Sequence, residues 1–408
     1  MKYKIIIASI ILLGITVVAP AQDLSAYIAQ AEAHNPALQA YALRYDLAQE
    51  QVNEVNSLPD TEFGVGYFVE TPETRVGAQR ARFSVKQMLP WFGTIAKRQE
   101  YQNALADNEY LEYVIAKRKL SLEVAQSYYQ LYGIQAQEQV VLQNLDLLDR
   151  FKELALNAVE VAEASVVDVL KLEMRQNELN AQLAILDERK RAAAVQFKNI
   201  LNVAQDTPIQ LVDNLTIPQL ETSDSIDALE TNPELLKYDA LYKSITQAEL
   251  LNQQESAPKW GVGLDYIPVS ERTDLFPADN GKDIVMPMVS VSVPIFNSKY
   301  KSVTRQNELR QQRITAEKEQ RLKYLENLLA EAKQYSNAAR INFNAQQQNI
   351  AQAQDAEAIL LKSYETGTID FSDVLDIQEL QLSFQRKQIQ AVQDFYEQTA
   401  LINYLTNN

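Results

Sequence analysis

Four stretches of this chain alternate apolar positions with polar or small ones at a period of two. Phe63, Val65, Tyr67 and Val69 alternate with Gly64, Gly66 and Phe68, and Phe83, Val85, Gln87 and Leu89 with Arg82, Ser84 and Lys86. Trp260, Val262, Leu264 and Tyr266 face opposite to Gly261, Gly263 and Asp265, while Val289, Val291, Val293 and Ile295 alternate with Ser290 and Ser292. This pattern predicts strands with one apolar and one polar face. At about ten residues each, they are long enough to cross a bilayer when tilted. Trp91, Phe92, Phe296 and Tyr300 stand just past strand ends, where an interfacial aromatic belt would sit.

The remaining pattern is helical. Proline is absent between Pro90 and Pro208 and again after Pro294. Ile95 to Val161 contains one glycine, Gly133, and Lys299 to Glu365 contains none. Each stretch predicts a helix of about 67 residues, on the order of 100 Å, which needs partners along its length and so a coiled-coil assembly. Val141, Leu145, Leu148, Ala155, Ala158 and Ala162 keep seam spacing, as do Val374, Ile377, Gln381, Phe384, Gln388 and Ala391. The many Ala and Gln residues suit close, partly wet packing around a lumen. Shorter helices are expected at Leu24–Ser57, Val167–Leu201, Asp224–Glu255 and Ser372–Leu405, and each pair stacked end to end would match one long helix.

The order of elements is written twice. Asn35-Pro36 and Gly64-Val65-Gly66 recur as Asn232-Pro233 and Gly261-Val262-Gly263. Pro90 recurs as Pro294, and Asp168-Val169-Leu170 as Asp373-Val374-Leu375. The offset drifts only from 197 to 205, which predicts an internal duplication. The first repeat spans 22–201, with strands at about 62–70 and 81–90 and a long helix at about 95–161. A linker at 202–222, expected near mid-height, leads to the second repeat at 223–408, with strands at about 260–268 and 286–295 and a long helix at about 298–365.

Residues 1–21 read as a secretory signal peptide: Lys2 and Lys4, an apolar run from Ile5 to Val18, and Ala19-Pro20-Ala21. Its removal takes the formal charge from -16 to -18. An acidic balance argues against nucleic acid as a partner. With no cysteine, disulfides, thiolate metal sites and lipoprotein acylation are impossible. One histidine, His34, makes a Ser-His-Asp hydrolase improbable, and no nucleophile–base pair or phosphate loop stands out, so the chain is not expected to be an enzyme or to need a cofactor.

The turns between helices hold the candidate site. Ser165 and Asp370 are good N-caps, each with an acid three residues on, at Asp168 and Asp373, and Gly367 suits a helix C-terminus. Asp376 lies one helical turn after Asp373 on the same face. In a symmetric trimer the two would form a band of six carboxylates at the mouth of a pore. Four strands cannot close a barrel alone, since single-chain bacterial barrels begin at eight, and an open edge is impossible in lipid, so any barrel must be shared between chains.

The duplicated order, Leu89-Pro90-Trp91-Phe92-Gly93, Val293-Pro294-Ile295-Phe296, and above all the run from Tyr364 to Asp376 resemble the TolC family of bacterial outer-membrane efflux proteins. The Pro-Trp-Phe-Gly strand end leans towards its heavy-metal (CusC/CzcC-like) branch. The resemblance implies a mainly α fold with a small β part: a homotrimeric 12-stranded β-barrel in the outer membrane, continuous with a periplasmic coiled-coil tunnel. It implies that Asp373 and Asp376 ring the periplasmic constriction and that Tyr364 belongs to its lock, although Ile369 stands where the family often has an arginine. The implied partners are a periplasmic adaptor docking near Ser165, Asp168, Gly367 and Asp370, an inner-membrane pump of the RND type, and outer-membrane lipid. A passive exit duct for efflux or type I secretion is the leading expectation. The alternative is an exported, soluble coiled-coil scaffold or adaptor without a pore.

Overall fold

The computed structural model describes residues 24–161, 165–218, 226–274, 276–366 and 368–406. The expected signal peptide, Ala162 and Gly367 lie outside these residues, as does the end of the 202–222 linker. Of the described residues 71% are helical. In order it forms α1 (Leu24–His34), α2 (Pro36–Glu54), β1 (Thr61–Tyr67), β2 (Glu73–Thr74), β3 (Gly77–Gln79), β4 (Ala81–Leu89), α3 (Thr94–Glu160) and α4 (Val166–Leu201). A short 3-10 helix (Ile226–Thr231) then precedes α5 (Pro233–Glu255), β5 (Lys259–Ile267), β6 (Val269–Ser270), β7 (Ile284–Ser292), α6 (Lys299–Glu365) and α7 (Phe371–Thr406). Among the described residues no helix is long and apolar enough to cross a membrane.

The helix expected at Leu24–Ser57 is two helices, α1 and α2, divided at Asn35. A proline pushes the residue before it out of the helical region, and Asn35 adopts φ -69°, ψ 120°. Its side chain accepts from the N–H groups of Ala37 and Leu38 while Pro36 occupies the first helical turn. Asn232 does the same for α5, accepting from Glu234 N at 2.9 Å, so the helix expected at Asp224–Glu255 is likewise shortened to Pro233–Glu255.

Two compact units emerge. The first comprises 1–34, 120–221 and 334–400, the second 35–119, 222–333 and 401–408. In the first unit, Val141, Leu148 and Phe151 of α3 pack with Leu172 and Leu179 of α4 and with Phe371, Val374 and Leu382 of α7. Of the seam expected on α3 and α7, Val141, Leu148, Ala155, Val374, Gln381 and Ala391 are buried, and Leu145, Ala158, Ile377, Phe384 and Gln388 are half-buried. The described part of the linker is strapped to this unit by tyrosines. The Tyr27 hydroxyl accepts from Gln210 N, that of Tyr128 from Val212 N, and that of Tyr132 from Leu215 N at 2.9 Å; the Tyr396 hydroxyl donates to Thr216 O at 2.8 Å. Extended backbone has no ladder of its own here, so these phenols satisfy its polar groups. Burial pushes the Tyr132 phenol above its ordinary pKa, against the bond from Leu215. At the other end of the linker, Asn202 closes α4 in the left-handed region at φ 52° and donates to His34 O.

In the second unit β1, β4, β5 and β7 form one antiparallel sheet in that order, and β2, β3 and β6 a small second one. Pro287 lies in β7, an edge strand, where its missing N–H is tolerated. Leu229, Leu235, Leu325, Leu329 and Leu405 form a separate core. Beside it the buried Glu234 carboxylate accepts from both Arg321 Nε, at 2.6 Å, and the Tyr404 hydroxyl, tying the start of α5 to α6 and to the end of α7.

Tyr132→Phe leaves Leu215 N–H without its acceptor. It should lower stability by about 1 kcal/mol and speed amide exchange across 210–217, as measured by thermal unfolding and by hydrogen exchange with mass-spectrometric readout.

Candidate functional site

The turn region in the first unit begins with Ser165, which caps α4 by accepting from Val167 N at 3.2 Å. Asp168 N donates to Ser165 O, and Asp168 lies 3.9 Å from Lys171. Lys171 also donates to Ser372 Oγ at 2.5 Å, so the first turn of α4 is bridged to the first turn of α7. Thr368 donates from both its amide and its hydroxyl to Ser363 O, folding the end of α6 back on itself. Asp370 is exposed and directly precedes α7, and its carbonyl accepts from Asp373 N at 3.2 Å.

Phe371 is fully buried and holds this region together. Its ring meets Phe151 edge-on at 5.8 Å and Tyr364 at 4.9 Å. Because Phe371 and Val374 turn inward, Asp373 and Asp376 are turned outward, and both are exposed. Asp376 lines a groove of about 370 Å³ with Lys171, Arg175 and Glu379. Tyr364 is only 9% exposed, and its hydroxyl has no partner among the described residues. Burial, and secondarily the charge of Asp168, raise its pKa.

Further along α7 a polar layer interrupts the leucine core. Gln378, fully buried, donates to Asn144 Oδ1 at 2.6 Å, and Asn144 donates to Gln385 Oε1 at 3.1 Å. The side-chain oxygens of Gln378 and Gln381 are buried without a partner among the described residues. Such a layer weakens helix–helix packing relative to leucine and fixes its register. Gln381 stood at a seam position in the sequence, but the Asn144–Gln378 bond joins residues 234 apart and left no local signal. Lys171 was also missed, although its spacing of three from Asp168 is readable.

In the second unit the register aligns the apolar positions into rows: Phe63–Val85–Leu264–Pro287, Val65–Phe83–Tyr266–Val285 and Leu89–Trp260–Val291. These form one face that is open to the surroundings, with Phe63 78% and Val289 73% exposed. The opposite face carries small and polar residues together with Met88, Met286 and Met288, and on it Arg82 pairs with the fully buried Asp265. Within the described residues β1 and β7 each have a free edge. Past the strand ends Trp91 stacks on Trp260 at 6.3 Å and 18°, a partner that sequence reading did not supply. Phe92 and Phe296 are fully in the open, and Tyr300 is half-buried under the Lys299 ammonium.

No protein-family model matches the sequence, and no curated protein matches it. Solved structures do match. The chain superposes on the outer membrane protein VceC from Vibrio cholerae with a TM-score of 0.73 at 16% identity, over 94% of this chain and 96% of that one. CusC, described for its transmembrane channel formation, gives 0.76 at 16% identity, over 94% and 91%. The open state of the Neisseria gonorrhoeae MtrE outer membrane channel gives 0.74 at 16% identity, over 95% and 89%. The fold is that of the TolC-family outer-membrane channels.

Tyr364→Phe removes a hydroxyl that has no partner here, so the thermal midpoint of the purified protein should hold or rise. A fall equivalent to about 1 kcal/mol or more would mean that this hydroxyl is bonded in the assembled protein.

Proposed function

We propose that this chain, which carries the fold of the outer-membrane channels, is the outer-membrane exit duct of a tripartite efflux or type I secretion system. One observation carries the reading: a four-stranded sheet with an exposed apolar face and two free edges. Apolar surface gives up roughly 25 cal/mol per Å² when left in water, and an unpaired edge leaves a row of N–H and C=O groups to be satisfied. Lipid against the apolar rows and a second copy against each edge resolve both. Pairing β1 of one copy with β7 of the next makes a closed ring, and three copies supply twelve strands. The small, charged face then lines the lumen, and the Trp91–Trp260 stack with Phe92, Phe296 and Tyr300 forms the interfacial belt.

The order strand, long helix, turn, helix recurs in both halves, which supports the duplication and an exported chain cleaved after residue 21. The helices form the periplasmic tunnel. An inner-membrane pump of the RND type, joined through a periplasmic adaptor at the turns bearing Ser165, Asp168, Gly367 and Asp370, supplies the energy, and the duct itself conducts passively. Asp373 and Asp376 gate it. Their exposure on the protomer supports this, because a carboxylate already paired within one chain could not serve a ring. Tyr364, with its spare hydroxyl, completes the lock.

Membrane fractionation should place the protein in the outer membrane, released only by detergent. In planar bilayers Asp373→Ala with Asp376→Ala should raise single-channel conductance and abolish block by multivalent cations. Unchanged conductance and block would remove the gate assignment, and extraction without detergent together with no pore would favour an exported scaffold.

A further inference from the structure

Acidic residues outnumber basic ones in this chain, 54 against 38, yet the stretches 74–99 and 284–307 hold none. Each contains a strand, the Pro-aromatic turn past it and the start of a long helix: β4 into α3, and β7 into α6. Helix stability does not call for this. The positive end of the helix dipole favours acids in the first turn, but neither α3 nor α6 has one there. α6 begins instead with Lys299, Tyr300 and Lys301. In the first repeat the matching cations are occupied, Lys97 by Glu100 and Arg98 by Glu255. In the second they are not: Lys299 and Lys301 are exposed, and neither forms an ion pair among the described residues. The Lys299 ammonium rests over the Tyr300 ring, 5.8 Å from its centre.

These charges follow directly on apolar side chains that the chain leaves uncovered. Ile295 is 75% exposed, Phe92 81% and Phe296 completely. They extend the apolar side of the sheet past its end, where Trp91 stacks on Trp260. The end of α5 holds both turns: Gln254 donates to Phe92 O, and Asn252 to Tyr300 O at 3.1 Å. An apolar band that ends in aromatics and free ammonium groups is the profile of a membrane–water boundary. Lysine lays its apolar stem on such a band and carries its charge out among the headgroups. A zwitterionic surface gives that charge no net attraction, whereas an anionic one does. With no cysteine to carry an acyl anchor, the hold has to come from side chains such as these.

We propose that Lys299 and Lys301, with Phe92, Ile295 and Phe296, form a docking surface for anionic phospholipid, the lysines meeting its phosphates in the leaflet on the helical side of the sheet. The charge class of the lipid is argued from this surface; its place in a bilayer rests on the outer-membrane reading above.

The full-length protein in an uncharged detergent is mixed with phosphatidylglycerol or phosphatidylcholine, and retained lipid is counted by native mass spectrometry. The wild type should retain phosphatidylglycerol in preference. Lys299→Gln with Lys301→Gln should cut that preference by roughly fivefold or more and leave phosphatidylcholine retention unchanged, while Lys299→Arg with Lys301→Arg should keep it. Phe296→Ser should lower retention of both lipids. Lys387→Gln, on α7 in the other unit, should change nothing. Unshifted thermal midpoints show that the variants fold. Should the glutamine pair not fold, raising sodium chloride from about 50 to about 500 mM must abolish the wild type's preference. A wild type without the preference, a glutamine pair that keeps it, or a Phe296→Ser variant that retains both lipids as before overturns the surface. So does a preference that inorganic phosphate abolishes at constant ionic strength, which would mark a site for the free anion. Bilayer conductance separates the two readings. A conducting protein without the preference overturns the surface and leaves the duct, whereas the preference in a protein that neither conducts nor fractionates with membranes upholds the surface and overturns the duct.

Discussion

A sheet with a free strand on each flank leaves a row of amide and carbonyl groups at both edges, and in this chain one face of that sheet is apolar as well. In water the apolar face is the costly feature, since water can satisfy a free edge; in lipid the free edge is the costly one, because nothing there can hydrogen-bond to it. The rows Phe63–Val85–Leu264–Pro287 and Val65–Phe83–Tyr266–Val285 define the apolar face that the proposed channel would turn to lipid, and the free sides of β1 and β7 are the edges at which another copy would pair. In the proposed channel, membrane insertion and assembly would then be one requirement, not two.

The helical part answers a different constraint. A 67-residue helix needs partners throughout, yet the proposed duct must also open. Phe371, wedged against Phe151 and Tyr364, makes a dry core at the start of α7, and it is this inward turn that presents Asp373 and Asp376 outward. The Asn144–Gln378–Gln385 layer follows it along the helix, with acceptor capacity left unused. Leucine packing specifies the contact, and a half-satisfied polar layer limits its strength. That combination suits helices that must hold one register and still part.

Ion pairs contribute little to either picture. Many of those among the described residues are exposed and join neighbouring turns of one helix, such as Arg150–Asp146 and Arg191–Asp187, and pairs of that kind add only fractions of a kcal/mol. The buried carboxylates differ. Glu234 and Asp265 are each held by an arginine from another element, so removing one partner would strand a charge in the interior.

The sequence alone determined the kinds of element and their faces. Period-two alternation is local, so Phe63 to Tyr67 and Trp260 to Tyr266 declared strands, and the two proline-free stretches declared long helices. It overran at Asn35 and Asn232, where a cap followed by proline ends one helix and starts another, though both residues were in view as a repeated pair. Positions at the turn were legible as well, since capping chemistry is written within four residues. Only the tertiary structure decided which distant residues meet. Lys171 with Ser372, Asn144 with Gln378, Trp91 with Trp260 and Arg82 with Asp265 are each joined across more than a hundred residues. The methionines are the clearest case: scattered at 88, 286 and 288, they carry no pattern along the chain. Strand register brings all three to one sheet face, Met88 opposite Gly261, Met288 opposite Gly263 and Met286 opposite Asp265, because pairing across a sheet depends on hydrogen-bond alignment and not on sequence distance.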